Sequence, residues 1–422
     1  MADDFDLIII GAGIAGSTCA LLSARAGLSV LCIERGEQPG SKNLSGGRLY
    51  GYALADILPD FHSHAPLERR ITHEHVSLLT ADGGTTLCGQ QPASASWSVL
   101  RARFDPWLAA QAEAAGAQLL CGVMVEALFQ ENGRIAGVLC EGERLRAKVV
   151  VLAEGANSLL AEQHGLIARP SMQTMALGIK ETLSLDKTLL QERFHLEDDG
   201  GAAWLFSGQI CGTKPAGAFL YTNQQSLSLG IVAPLASLRD GPGAASSLLA
   251  KLKMHPTLRP LVRGAETLEY AAHLVPEGGL NSVPLQRAGN GWLLVGDTLR
   301  TCINTGMTIR GMDTAMLSAQ AATQALVAHC QQPAQPLQTL YDRALQRHAL
   351  WQQLQRYREV PALLRSESPY RQWPEFSHAV WRDLTRVEAN VNLPLWRSLL
   401  RHSRRFGPAR LARDILRSLR CL

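Results

Sequence analysis

The chain has 422 residues, 46% of them hydrophobic and 18% charged, with a formal net charge of +4. That length leaves room for two or three domains with sizeable cores, and the composition is that of an ordinary globular protein. No apolar run approaches the roughly 18 residues that span a bilayer, and the nine cysteines never fall as CxxC, which excludes an iron–sulfur cluster or structural zinc held by this chain.

Phe5-Asp6-Leu7-Ile8-Ile9-Ile10 predicts a strand buried on both faces. Gly11-Ala12-Gly13-Ile14-Ala15-Gly16 follows at once, Ser17 to Ala26 reads as a helix, Gly27 breaks it, and Ser29 to Ile33 forms a second strand ending at Glu34. This is a βαβ unit carrying the dinucleotide fingerprint in its required context. The first glycine allows the tight turn, the second lets backbone approach a pyrophosphate, and the third lets helix and strand pack closely. The phosphates would rest on the free N–H groups and positive end of the helix, and Glu34 would accept hydrogen bonds from a ribose. The expectation is that a molecule with an ADP moiety binds here.

After Glu34-Arg35, the stretch from Gly36 to Tyr50, with Gly40-Ser41-Lys42-Asn43-Leu44-Ser45-Gly46-Gly47-Arg48, reads as a glycine-rich loop feeding a short helix over Leu49–Leu58. Lys42 and Arg48, beside the fingerprint, favour contact with the cofactor over a mobile surface loop. Residues 60–100 carry short strand-like pieces, Val76-Ser77-Leu78-Leu79 the clearest. The pairs His62/His64 and His73/His75 lack the acids or cysteines of a metal site and read as surface histidines, so no metal is expected. Val99 to Asp105 leads into a helix that Gly116 ends. A strand around Gly122–Glu126 follows, then a hairpin through Glu131-Asn132-Gly133. The strand Lys148 to Ala153 runs into the turn Glu154-Gly155-Ala156-Asn157-Ser158.

From 165 to 285 the pattern alternates. Met175–Thr182, Ala202–Phe206, Ala218–Thr222 and Ser226–Val232 predict an antiparallel sheet, the last two strands joined through Asn223-Gln224-Gln225. Pro256 and Pro260 bound a short helical insertion, and Tyr270 to Gly279 closes the region. Gly291-Trp292-Leu293-Leu294-Val295-Gly296-Asp297 returns to the buried-strand style, followed by a loop to Gly306 and a long helix from Met307 through Val327. Strand, Asp, loop and helix N-terminus make a second place where a cofactor's oxygens can be held. Beyond Pro333, a 3.6-residue period through Leu337, Leu340, Tyr341, Ala344, His348, Trp351 and Leu354 predicts helices.

The fold class expected is α/β: a Rossmann-like nucleotide domain interleaved with an antiparallel-sheet domain, plus a C-terminal helical region. The division is 1–60 with 98–164 and 285–330, then 61–97 with 165–284, then 331–422. That last region holds sixteen arginines, no lysine and seven acids, a balance of +9, and four of the eight tryptophans. Arginine with tryptophan suits phosphate headgroups or an acidic protein rather than nucleic acid; a solvated helical face with ordinary core aromatics is the other reading. The acidic start Met1-Ala2-Asp3-Asp4 is not that of a signal peptide. A cytoplasmic protein follows, with peripheral contact at the inner membrane face left open.

Four stations line up: Gly11–Gly16 with Glu34, Arg101-Ala102-Arg103-Phe104-Asp105, Ala153 to Ser158, and Val295-Gly296-Asp297. Their order resembles the glutathione-reductase-like FAD fold shared by aromatic hydroxylases and geranylgeranyl reductases. More narrowly, Gly40 to Arg48, Trp204-Leu205-Phe206-Ser207-Gly208, Phe219-Leu220-Tyr221-Thr222-Asn223, Val275-Pro276-Glu277-Gly278-Gly279 and Ile309-Arg310-Gly311-Met312-Asp313 resemble the FixC branch of the electron transfer flavoprotein–quinone oxidoreductases, nearly end to end. Two departures stand out: Glu154 replaces the family's Asp before Gly155, and Thr298-Leu299-Arg300 replaces a smaller Ala-Ala-Gly after Gly296-Asp297.

That resemblance implies FAD. Gly11, Ala12, Gly13, Ile14, Ala15 and Gly16 would hold the pyrophosphate, Glu34 and Arg35 the adenosine ribose, and Val125 the adenine by its backbone. Arg101 would face the phosphate–ribose region, and Asp297 with Gly296 the ribityl–pyrophosphate arm. Gly46, Gly47, Arg48, Glu154, Gly155, Gly306 and Met307 complete the cofactor set. The helix beginning near Met307 would aim its positive end at the flavin. Glu277, Gly278 and Gly279 would lie on the flavin's acceptor side; His273 reads as a core histidine. Longer relatives append a ferredoxin-like domain, whereas this chain ends at Cys421-Leu422, so a separate ferredoxin-like iron–sulfur protein is an expected partner, beside an electron transfer flavoprotein and a quinone.

No second fingerprint for NAD(P)H is visible; Gly241-Pro242-Gly243 lacks a preceding buried strand. Electron relay through FAD is the leading expectation. A flavin-dependent reductase of prenyl double bonds and an aromatic monooxygenase are the alternatives, and a purely structural FAD is the non-enzymatic one.

Overall fold

The computed structural model describes residues 4–41, 46–212, 214–239, 245–387 and 393–407, together with 409, 412–414 and 416. Lys42 through Ser45 and Gly241-Pro242-Gly243 therefore lie outside the described residues. The chain opens with β1 (Phe5–Ile10), α1 (Ile14–Arg25), β2 (Val30–Glu34) and β3 (Gly46–Tyr50). Next come β4 (Leu67–Leu79), β5 (Gly84–Gln90), β6 (Ser96–Leu100), α2 (Arg101–Ala114), β7 (Gln118–Cys121), β8 (Val125–Glu131), β9 (Arg134–Cys140) and β10 (Glu143–Leu152). The middle holds β11 (Met175–Ser184), α3 (Lys187–Phe194), β12 (Gly200–Gly208), β13 (Gly217–Thr222), β14 (Ser226–Pro234), α4 (Ala245–Met254) and β15 (Glu266–Pro276). Then follow β16 (Ala288–Gly289), β17 (Trp292–Leu294), β18 (Ile303–Asn304) and β19 (Ile309–Arg310). Six helices end the described chain: α5 (Met312–Gln331), α6 (Leu337–Arg347), α7 (Ala349–Arg356), α8 (Val360–Leu364), α9 (Trp373–Thr385) and α10 (Leu395–Phe406).

Among the described residues these strands form two large sheets and the small hairpin β18–β19. The first sheet runs β16-β17-β10-β1-β2-β7, with β9 on β10 and β8 on β9. Its centre is parallel: Leu7 pairs with Val149 and Val30, and Leu152 with Leu294. A strand covered on both faces must be apolar throughout, and Leu7, Ile8 and Ile9 are fully buried. Helix α1 lies against this sheet and against α5, with the small residues Ala15, Gly16, Cys19 and Ala20 buried and Thr323 of α5 reaching Cys19 Sγ at 3.9 Å. The second sheet runs β15-β11-β14-β13-β12-β4-β6-β3, with β5 on β4, antiparallel except for the parallel pair β12–β4. Its back face supports a separate apolar cluster with α3 and α4, built on Leu190, Phe194, Leu248 and Leu249. No helix among the described residues is long and apolar enough to cross a membrane.

Several elements differ from the sequence expectation. The helix over Ser17–Ala26 begins earlier, at Ile14, because Gly13 in extended backbone already serves as its N-cap. Gly46-Gly47-Arg48 is not loop but strand β3, paired antiparallel with β6 (Gly46 with Leu100, Arg48 with Ser98), and only Tyr52–Ala55 of the Leu49–Leu58 segment is helical. The strand expected around Gly122–Glu126 begins only at Val125, as β8; Gly122 to Met124 turn between β7 and β8, Gly122 with φ +78° and its N–H donating to Gly36 O at 2.7 Å. The long helix starts at Met312, not Met307, because residues 303–310 fold into the β18–β19 hairpin. The helical insertion is split about Pro256: α4 ends at Met254, and a further short helix, Arg259–Val262, holds Pro260 in its first turn; the strand-like pieces of 60–100 include the thirteen-residue β4.

Candidate functional site

A cavity of about 990 Å³ lies between the two sheets, beginning at the turn after β1. Gly11 takes φ +101°, and a Cβ there would meet Ala153 O at 2.5 Å; a Cβ on Gly16 would stand 1.8 Å from Gly11 O. Only glycine lets α1 start so close to the strand end. Gly11, Gly13, Ile14 and Ala15 line the cavity, whereas Ala12 and Gly16 lie behind it. Glu34 is held in place by two amides: Ala12 N–H donates to it at 3.0 Å and Gly36 N–H at 2.8 Å. Its carboxylate and Arg35 line the same end, opposite Val125.

Arg101, at the start of α2, grips Asp105 through two hydrogen bonds of 2.6 and 2.7 Å and lines the cavity. Burial works against its charge, but Asp105 and Asp297 more than offset that and raise its pKa. Asp297 follows Gly296, which is not on the cavity wall; its role is to press the turn onto α1, a Cβ there coming within 2.6 Å of Ala15 Cβ. Asp297 itself is on the wall, and burial pushes its carboxyl up to about 6 against the pull of Arg101 and Lys180.

Glu154 also lines the cavity, but both its oxygens accept backbone amides, from Leu160 at 2.7 Å and Ala161 at 3.1 Å. Beside it Gly155 turns with φ +77° and lines the wall as well. The second departure from the family pattern turns away from the site. Thr298 donates to Gly155 O at 3.2 Å, Leu299 is fully buried, and Arg300, at φ +61°, sends its guanidinium to Ala168 O at 2.7 Å. None of the three lines the cavity.

On the facing wall, Gly46, Gly47 and Arg48 come in on β3. Gly46 admits Ser228, whose Oγ would be 2.0 Å from a Cβ; Arg48 pairs with Glu74 and lies 4.7 Å from the Tyr50 ring centre. Gly306 and Met307 line the cavity from the tip of the β18–β19 hairpin rather than from a helix. The N-terminus of α5 reaches the wall through Gly311 and Met312, with Asp313 in its first turn ion-paired to Arg310.

Glu277 is on the wall, and Asn304 Nδ2 donates to it at 3.2 Å; burial lifts its carboxyl to about 7. Gly278 and Gly279 are not: a Cβ on the first would meet Ser282 and on the second Pro361. Two residues the sequence reading did not place among the cofactor set stand at the centre. Lys180 on β11 lies beside Arg101 and Asp297, 5.7 Å from the Phe219 ring centre, and burial lowers its ammonium to about 8. His273 on β15, expected in the core, lines the cavity, and Lys180, with burial, lowers it to about 3, so it stays neutral. The readable signal for Lys180 was a lone cation inside an alternating apolar strand. Among the described residues no group of three or more His, Cys, Asp or Glu could hold a metal ion. His73 and His75 stack on each other on β4, and His75 on Trp204.

These residues fit FAD. The glycine turn makes a cradle that any Cβ on Gly11 or Gly16 would fill, and Arg35, Arg48, Arg101 and Lys180 bring cations to a single cavity long enough to continue past the turn. A sequence model of the FAD dependent oxidoreductase family matches residues 6–163. The chain is 60% identical over 423 residues, covering 100% of each, to a probable electron transfer flavoprotein-quinone oxidoreductase, YgcN, of Escherichia coli K12. It is 41% identical to the protein FixC of Salmonella typhi, over 100% of this chain and 99% of that one. Among solved structures, a geranylgeranyl bacteriochlorophyll reductase-like protein of Thermoplasma acidophilum superposes with TM-score 0.71 at 20% identity, covering 96% of both chains. The halogenase PltM, solved with FAD, superposes with TM-score 0.67 at 15% identity over 90% of this chain and 80% of that one. Those two likenesses speak for the fold. The full-length relatives speak for the family: the chain is an FAD-dependent oxidoreductase and belongs to the electron transfer flavoprotein-quinone oxidoreductases of the FixC type.

Proposed function

We propose that this oxidoreductase takes electrons from an electron transfer flavoprotein and delivers them to a quinone, with a separate ferredoxin-like iron–sulfur protein as a further partner in the relay. The observation that carries the reading is the continuity of the cavity. One cavity is lined by the glycine turn, by Asp297 and Lys180, by the apolar and aromatic Leu205, Phe219 and Tyr221 of the second sheet, and by Pro361, Leu364 and Tyr370 of the C-terminal helical region. Such a chamber suits a flat apolar acceptor.

FAD, when bound, supplies chemistry in which electrons can enter and leave in pairs or singly. The chain's own residues set the surroundings. The cofactor set assigned above is read as binding it: Gly11, Gly13 and the start of α1 the pyrophosphate, Glu34 and Arg35 the ribose, and Asp297 with Arg101 the arm between. Lys180 keeps a positive charge in a buried place next to the ring's expected position, which favours a negatively charged reduced form. Glu277, whose carboxyl burial raises to about 7, offers a hydrogen-bond donor on the same wall while it is protonated, below about pH 7.

Stopped-flow reoxidation of the anaerobically reduced protein tests the reading. The expected result is fast reduction by an electron transfer flavoprotein and fast reoxidation by a soluble quinone analogue or a reduced-cluster-forming ferredoxin. Reoxidation by an unsaturated prenyl lipid alone, or rapid NADPH consumption with an aromatic compound, would replace it with one of the two other flavin chemistries.

A further inference from the structure

Glu277 follows the last residue of β15, in a turn held from three sides. Its N–H donates to Thr174 O at 2.9 Å, a Cβ on Gly278 would strike Ser282, and one on Gly279 would stand 3.1 Å from Pro361. The carboxyl, half-buried on the cavity wall, accepts from Asn304 Nδ2 at 3.2 Å through Oε1. That amide is fixed in orientation, because its Oδ1 accepts from Gly306 N–H at 2.8 Å. Among the described residues Oε2 has no hydrogen-bond partner and no cation pairs with the carboxyl. Tyr370, in the single π-helical turn Ser368–Gln372, is buried, lines the same cavity and lies close enough to feel the charge on Glu277. Turns of this kind recur at functional sites.

We propose that Glu277 is the acid that protonates the acceptor, passing the proton on Oε2 to a carbonyl oxygen of the quinone as electrons reach it. The proposal rests on the quinone reading above. Two electrons leave the reduced cofactor, which is oxidised and sheds its proton to water. One O–H bond forms on the quinone and the Glu277 O–H bond breaks, leaving a hydroquinone monoanion and a carboxylate. A proton from water completes the hydroquinone, and another restores Glu277. Placing negative charge on a carbonyl oxygen among Leu205, Phe219 and Leu364 is costly unless a proton arrives with it. The other titratable groups suit the step less well. Cys302 and Tyr370, which face Glu277, are held protonated by burial; His273 is already neutral, and the Lys180 ammonium answers Asp297. Glu277, raised by burial to about 7, keeps its proton to near neutral pH and can still release it.

Single-turnover reoxidation of the anaerobically reduced, full-length holoprotein tests this, with a soluble ubiquinone analogue and with ferricenium, a one-electron oxidant that takes no proton. Wild-type reoxidation by the quinone should slow as pH rises past about 7, and reoxidation by ferricenium should not. Glu277→Gln should slow the quinone reaction roughly 100-fold and flatten its pH dependence. Glu277→Asp should recover part of the rate together with the pH dependence. Affinity of the oxidised protein for the analogue, read from the perturbed visible spectrum, should stay that of the wild type in both variants, as should the rate with ferricenium. Glu277→Gln that matches the wild type with quinone at every pH overturns this proposal and leaves the quinone reading standing. So does a Gln variant slowed equally toward ferricenium, which would make Glu277 a structural prop, or a wild-type quinone rate that is flat across pH 6–8. Wild-type protein that reacts with ferricenium but not with quinone overturns the quinone reading and this proposal together.

Discussion

Glu277 and Lys180 bring opposite charges into the same cavity, and burial moves each toward neutrality: the carboxyl up to about 7, the ammonium down to about 8. For Glu277, the folded chain holds a proton between pH 4.5 and about 7 that the unfolded chain has released. Stability therefore falls as pH rises through that window, and the loss is complete above it. Gln resembles the protonated acid and lacks the titration. Glu277→Gln should thus stabilise the protein by on the order of 3 kcal/mol at about pH 8 and by almost nothing near pH 4. Guanidinium unfolding at the two pH values measures the difference; an equal effect at both would mean the carboxyl is not strained by burial.

Among the elements, α6 acts as a clamp on the sheet that carries the nucleotide turn. Buried Tyr341 donates from its hydroxyl to Leu294 O at 2.8 Å, at the end of β17 and three residues before Asp297. Tyr341→Phe leaves that carbonyl unpaired and should lower stability by about 1–3 kcal/mol. Because the Gly296-Asp297 turn follows directly, the same variant should release FAD faster, read as a higher off-rate in dilution. The strands β1, β10 and β17 were legible because a doubly covered strand has to be apolar at every position, and the glycine turn because a Cβ has no room there. Strand β3 was not: Gly46-Gly47-Arg48 has loop composition, and what straightens it is β6, fifty residues away in sequence and paired by register. The start of α5 was missed for the same reason, since the two-residue arms of β18–β19 are defined by each other and not by periodicity. In the cavity, Arg101, Glu34, Val125 and Asp297 were placed on the wall, while Gly16, Gly278, Gly279 and Gly296 act from behind it, a distinction that depends on which neighbour a Cβ would strike.

At the scale of the whole molecule, the cavity needs both sheets. A chain cut after residue 163, the reach of the family match, keeps the glycine turn but loses β17, Asp297, α5 and the wall bearing Lys180. Such a fragment should show no FAD-dependent rise in melting temperature. The full chain should gain about 2.7 kcal/mol when FAD is present at a hundredfold its Kd. Differential scanning fluorimetry with and without FAD separates the two; a fragment that responds as the full chain does would locate the whole site in the first 163 residues.

The polypeptide crosses between the sheets repeatedly: β1 and β2 lie in the first, β3 to β6 in the second, β7 to β10 in the first, β11 to β15 in the second, and β16 and β17 back in the first. On a ribosome, the glycine turn emerges almost at once, yet the sheet under it stays open-edged until Leu294 has cleared the exit tunnel. Contacts that span so much sequence close slowly. The cradle for the cofactor is thus complete only once β17 has joined β10, so capture of FAD is expected to follow synthesis of the chain rather than accompany it.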